Sequence, residues 1–332
     1  MKKFALLVGN GFTLDFVETL GFHSSFPLQN FNNRDINYDN FLDKLPTVKN
    51  ELFEISLGHI KSIQNYKDFM NRLPVIAPVM RNAVAGKPTS DFEIIENYLS
   101  RNQHDYEKEC QLRRFLAMAY SKLQYAVDSY EDQIRNWKWA QWITENSNDL
   151  KLAISFNYDL VLENALSFAG VTHRRIGTDE LVGQVPVLKP HGSMDFDLPD
   201  FAIKCDTELR WDIVTGLNDA QFVQTVPKSE WFLPRMEADI IPPSMRNFQR
   251  HLSWVDMMFQ TFENQASELD AFIIVGSSYW DVDRPEINFF LEKLPKTAVV
   301  YIMNPRPNPD LIQTLSSLGL SYKIFDYTEL PW

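Results

Sequence analysis

The residues of this chain best suited to chemistry are Asn157 and Asp159 in Ser155-Phe156-Asn157-Tyr158-Asp159, and His191 in Lys189-Pro190-His191-Gly192-Ser193. A neutral imidazole exchanges a proton near pH 7, and an amide and a carboxylate can orient a ligand around it. Each group also has a plainer use. Asn and Asp after a strand bond nearby backbone amides as turn and cap residues, and a single histidine is more often structural than catalytic. Their setting favours the chemical reading. An apolar run over 150–156 predicts a strand that delivers Asn157 and Asp159 to its carboxyl end, with a helix over 160–166 packed back on it. A second apolar run, 185–188, ends at His191, and Gly192 and Ser193 turn the chain. Open α/β sheets hold ligands at the carboxyl ends of their strands, so the two ends predict one crevice.

Other strands predicted along the chain carry polar or glycine residues at the same edge. Phe4 to Val8 reads as a buried parallel strand stopped by Gly9-Asn10-Gly11, after which residues 12–17 open a helix. Glycines there permit a tight turn and bring backbone amides close to a pyrophosphate, although Leu14 stands where a full dinucleotide fingerprint has its third glycine. A plain strand-to-helix turn explains this stretch equally well. Residues 271–275 form another strand, ending at Gly276-Ser277-Ser278, and 298–303 a further one, ending at Asn304-Pro305. Helices are expected over 251–269, 286–294 and 311–318, with a last strand over 322–325. This alternation predicts an α/β fold, a Rossmann-like mostly parallel sheet.

Between the first and second strands lies a large α-helical insertion, 40–148, preceded by an irregular, Asn- and Pro-rich stretch over 21–40. Helical spacing recurs through 52–73, a helix start stands at Ser90-Asp91-Phe92-Glu93, and one apolar stripe runs from Leu112 to Ile134. Trp137, Trp139 and Trp142 follow, and their spacing suits helix packing better than stacking on a ligand. The sheet domain therefore comprises 1–39 and 149–332, with a lid or connecting loop over 196–249 that includes Arg246 as a possible phosphate contact.

Composition narrows the classes. Hydrophobic residues make up 45% of the 332, which suffices for a core, and a net charge of −12 disfavours a nucleic-acid-binding surface. Only Cys110 and Cys205 are present, too few for a disulfide framework or a four-cysteine zinc site. The apolar run after Lys2-Lys3 is too short for a signal peptide and no run is long enough to span a bilayer, so a cytoplasmic protein is expected.

Taken in order, Leu7-Val8-Gly9-Asn10-Gly11-Phe12, Phe156-Asn157-Tyr158-Asp159, Pro190-His191-Gly192-Ser193, Ile241-Pro242-Pro243, Val275-Gly276-Ser277-Ser278 and Met303-Asn304 resemble the sirtuin-like superfamily. They are most similar to its NAD-hydrolysing effectors of bacterial antiphage, abortive-infection defence. The resemblance implies NAD as substrate, with no further cofactor and no zinc. It implies binding by Gly9, Asn10, Gly11, Phe12, Gly192, Ser193, Gly276, Ser277 and Asn304: Gly9 and Gly11 at the pyrophosphate, Gly276 and Ser277 at the nicotinamide-side ribose or phosphates, Asn304 at the adenosine ribose. It further implies that Asn157 holds the nicotinamide ribose and the attacking water, Asp159 stands near the nicotinamide amide, and His191 is the base on a ribose hydroxyl.

Deacylating sirtuins carry a four-cysteine zinc module that this chain cannot build, which favours hydrolysis of NAD over protein deacylation. A cyclised ADP-ribose product and a non-catalytic NAD or ADP-ribose sensor are the other readings. An unrestrained NADase is toxic to its host, so control through homo-oligomerisation or a partner is expected, either a translocase ATPase or a short Argonaute-type protein.

Overall fold

The computed structural model describes residues 2–20, 131–197, 221–231, 238–241, 252–326 and 328–332, with part of 113–130. The stretches expected over 21–40, 52–73 and 90–93, both cysteines, Arg246 and the Pro242-Pro243 pair lie outside those residues.

In chain order the elements are β1 (Phe4–Val8), α1 (Asn10–Thr19), α2 (Lys138–Asn146), β2 (Leu150–Ser155), α3 (Val161–Phe168), β3 (His173–Arg175), β4 (Val185–Leu188), β5 (Gly192–Asp197), β6 (Gln224–Thr225) and β7 (Ala238–Ile240). They continue with α4 (Ser253–Ala266), β8 (Ala271–Val275), α5 (Arg284–Lys293), β9 (Val299–Met303), α6 (Pro309–Leu318) and β10 (Ser321–Phe325). Seven strands form one sheet in the order β10-β9-β8-β1-β2-β4-β3, and every pairing in it is parallel. The fold is thus a Rossmann-like α/β sheet.

β1 lies at its centre because all five residues are apolar and fully buried. Alternation along the strand divides them between the two faces. Phe4, Leu6 and Val8 join one core with Trp137, Trp139 and Trp142, while Ala5 and Leu7 join another with Trp254, Met258 and Phe290. The tryptophans are packing residues, as expected. Trp137 meets Phe12 at 4.6 Å and Phe16 at 4.8 Å between ring centroids, and its indole N–H donates to Asp15 at 2.5 Å. So α2 lies against β1 and α1, on the sheet's own face. The single stripe expected through Ile134 is instead interrupted, because residues 131–136 tighten into a 3₁₀ turn before Trp137 takes an extended conformation.

A second sheet was not foreseen. β5 pairs antiparallel with β6 and with β7, so part of the stretch expected as a lid or connecting loop supplies strands. The signal was hidden because β6 and β7 have only two and three residues and β5 is Gly-Ser-Met-Asp-Phe-Asp, whose polar positions are nonetheless largely buried.

Candidate active site

Sheet order places the turning point of the chain between β1 and β8. From β1 the chain fills one half of the sheet, passing to β2, then to the edge strand β3 and back to β4 between them, and after β8 it fills the other half through β9 and β10. Open parallel sheets bind ligands at this point, above the carboxyl ends. The glycine loops following β1 and β8 meet there: Gly9 N donates to Val275 O at 2.9 Å and Gly11 N to Gly276 O at 2.9 Å. Gly276 has φ +64, and a Cβ on it would lie 2.3 Å from Phe12 N. The Gly11 amide, expected to face a pyrophosphate, is thus engaged with the neighbouring loop. Phe12 departs from its expected role more clearly, being fully buried against the tryptophans.

A pocket of 630 Å³ opens over this loop pair, lined by Gly11, Gly276, Asn304, Arg306, Trp139 and Met303 among others. Asn304 is half-buried, with Oδ1 accepting from Arg306 N at 2.9 Å. Ser277, nearly buried, turns its hydroxyl toward the Tyr279 amide at 3.4 Å and does not line the pocket. Asn10 is exposed.

Neighbouring strands β2 and β4 bring the other cluster together. Asn157 donates through Nδ2 to Gly9 O at 2.9 Å and to Thr13 Oγ1 at 3.0 Å, so the end of β2 is latched to the first glycine turn. Its Oδ1 makes no hydrogen bond among the described residues. Thr13 in turn donates to Asp159 Oδ2 at 2.9 Å, and Asp159 Oδ1 accepts from Val161 N at 3.1 Å. Asp159 therefore serves as a turn residue at the start of α3 and a buttress for α1. Burial raises its pKa against the opposing pull of Lys189. Lys189, fully buried, donates to Asp159 O at 2.6 Å and pairs with Glu163 at 3.0 Å, which ties β4 to the turn before α3.

His191 stacks on Phe156 with ring centroids 4.7 Å apart and planes 18° from parallel. Its Nε2 lies 3.7 Å from Glu286 Oε1, a contact of charges beyond hydrogen-bond reach, and among the described residues both Nε2 and Glu286 Oε2 are buried without a hydrogen-bond partner. Burial depresses the basicity of His191. Glu286, Asp283 and the Phe156 backbone outweigh it and hold the pKa above the ordinary histidine value. Burial likewise lifts Asp283 to about 6, against the pull of His191. Neither carboxylate was singled out from the sequence, because an acidic residue in the first turn of a helix reads as helix-dipole complementation. Gly192, at φ +80, packs so closely that a Cβ would stand 2.0 Å from Asp239 O, and buried Ser193 donates to Tyr158 O at 3.2 Å. Both belong to β5 rather than to a free turn, and neither lines the pocket.

The sequence-predicted residues thus form two groups. Gly11, Gly276 and Asn304 meet at the pocket, while Asn157, Asp159 and His191 follow the adjacent strands β2 and β4 and do not line it. The protein is thus an α/β protein with a pocket at the switch point of its sheet. No protein-family model and no curated protein matches the sequence. Among solved structures, the chain is similar to one described as "Structural Basis for the Mechanism and Regulation of Sir2 Enzymes", at 14% identity and a TM-score of 0.33, over 99% of this chain and 88% of that one. The fold assignment here rests on strand order and direction.

Proposed function

We propose that the protein hydrolyses the N-glycosidic bond of NAD, releasing nicotinamide and ADP-ribose. The observation that carries this reading is His191, buried beside Glu286 and Asp283 one strand away from Asn157, at the carboxyl edge of a sheet with a glycine-lined switch-point crevice. Cleavage of such a bond passes through an oxocarbenium-like state, and carboxylates and amide dipoles ease its positive charge. Asn157 Oδ1 is the acceptor that orients the attacking water or a ribose hydroxyl, since its Nδ2 holds Gly9 and Thr13. His191 takes the proton of a ribose hydroxyl, the alkoxide regains one from the attacking water as that oxygen bonds the anomeric carbon, and the imidazolium, stabilised meanwhile by the neighbouring carboxylates, releases its proton to solvent. Asp159 supports this wall from behind. Nicotinamide is already a good leaving group, so no acid is needed to expel it, and NAD enters as substrate with no resident cofactor or zinc.

On the motif order we further propose the role of an NAD-depleting effector of antiphage defence, working in the cytoplasm and held in check by self-assembly or by a partner ATPase or short Argonaute-type protein. A binding-only NAD or ADP-ribose sensor is the second reading, favoured by a pocket whose lining does not include His191. Nicotinamide release from NAD by the purified protein, beside His191→Ala and Asn157→Ala, decides between them. Loss of release in both variants, with the native circular dichroism spectrum retained, is expected, and Asn157→Ala is expected to lower Tm as well because it leaves the Gly9 carbonyl without its donor. Full activity in either sinks the mechanism, and ligand binding without release by the wild type supports the sensor.

A further inference from the structure

Behind the His191 turn lies a buried charge pair that no step of the proposed reaction uses. Arg113 Nε donates to Ile240 O at 2.7 Å and its terminal nitrogen to Asp239 Oδ1 at 2.7 Å, with side chains 4% and 0% exposed. A guanidinium gripping a carboxylate and an adjacent carbonyl fixes backbone direction as well as charge. The gripped segment is β7, and β7 holds both motif loops. Ile241 N donates to His191 O at 2.9 Å, Asp239 O fills the space where Gly192 lacks a side chain, and Tyr158 donates its hydroxyl to Ile241 O at 2.6 Å. Tyr158 O accepts in return from Met194 N at 2.9 Å. The chain of contacts runs from Arg113, which lies between β1 and β2 in the sequence, through one short strand, to the backbone beside His191 and Asn157.

We propose that Arg113 is a positioning residue of the candidate site: through Asp239 and Ile240 it sets where β7 holds the His191 turn and the Tyr158 loop, and so couples a residue distant in the chain to the reacting groups. This inference rests on the reading of His191 as the base. The residues expected at the pyrophosphate and the adenosine follow β1 and β9, away from β7, so on this reading Arg113 bears on orientation at the reacting end rather than on the binding of NAD as a whole.

The test is Arg113→Met and Arg113→Lys in the full chain. Misplacement of a reacting group by about 1 Å costs on the order of 10²-fold in rate. Arg113→Met is expected to lower kcat for nicotinamide release by that order while KM for NAD stays within about twofold, and Arg113→Lys to recover part of the loss. Removing one partner of a buried pair strands the other charge. Arg113→Met with Asp239→Asn avoids that and is read in the same way if the single variant does not fold. The His191 imidazole resonances, assigned with His191→Ala, are recorded without NAD. They are expected to shift in the Arg113 variants even if the wild type proves to have no NADase activity, which separates failure of this inference from failure of the reaction. Folded Arg113 variants with wild-type His191 resonances, or with wild-type kcat where the wild type is active, overturn the proposal.

Discussion

At the scale of single residues, the environment of His191 is made of acceptors: Glu286, Asp283 and the Phe156 backbone all raise its affinity for a proton against its burial. Asp283 shares that environment, with a folded-state pKa near 6 against an ordinary carboxyl value of 3.8. A raised folded-state pKa means that the native state binds protons the unfolded chain has already released. The contribution of these two groups to stability is therefore greatest at low pH and declines as pH rises through about 4 to 6 for Asp283, and from about 6.5 upward for His191. Asp283→Asn removes the first contribution. We expect the variant to gain stability relative to wild type as pH goes from 4 to 8, by on the order of 1 to 3 kcal/mol, or several degrees in Tm, with partial solvent access favouring the lower figure. Melting curves across that range check it, and a pH-independent difference overturns the assignment.

Between elements, the decisive contact is that of the two glycine loops. β1 and β8 are adjacent and parallel, so their carboxyl-end turns must cross within a few ångströms, and Gly276 meets the Gly11-Phe12 backbone at distances no Cβ tolerates. The expected cost of Gly276→Ala is about 1 to 3 kcal/mol from the positive φ alone, with the steric clash added. Denaturant unfolding measures the loss, and a near-neutral effect would mean that the loops separate easily. Asn157 strengthens the same junction by latching β2 to Gly9, which gives its amide a structural duty alongside the proposed catalytic one.

For the whole molecule, a seven-stranded parallel sheet flanked by helices makes its carboxyl edge the place where a ligand would bind, and the proposed control would act there. Among the described residues no helix is long and apolar enough to cross a membrane. Control by self-assembly predicts that nicotinamide release per mole of protein rises with protein concentration, in step with the oligomer fraction seen by light scattering. Constant specific activity from a monomer down to nanomolar concentration would contradict it.

The sequence alone determined the strands buried on both faces, because β1, β2, β4, β8 and β9 are short apolar runs bounded by turn residues, and such runs have few other folds available. Placing Asn157 and His191 at strand ends followed from the same local rules, and so did the tryptophans' duty in the core, whereas the pairing of β2 with β4 is a matter of tertiary structure. Tertiary structure alone decided which partners those side chains meet. Glu286 and Asp283 reach His191, Thr13 joins Asn157 to Asp159, and Arg113 grips Asp239 across contacts whose members lie far apart in the chain. The same distance hid β5 to β7, whose polar, two- to six-residue strands exist through their pairing. Local periodicity reports which face of an element is buried, whereas long-range pairing depends on the packing of whole elements, and no spacing within one segment encodes it.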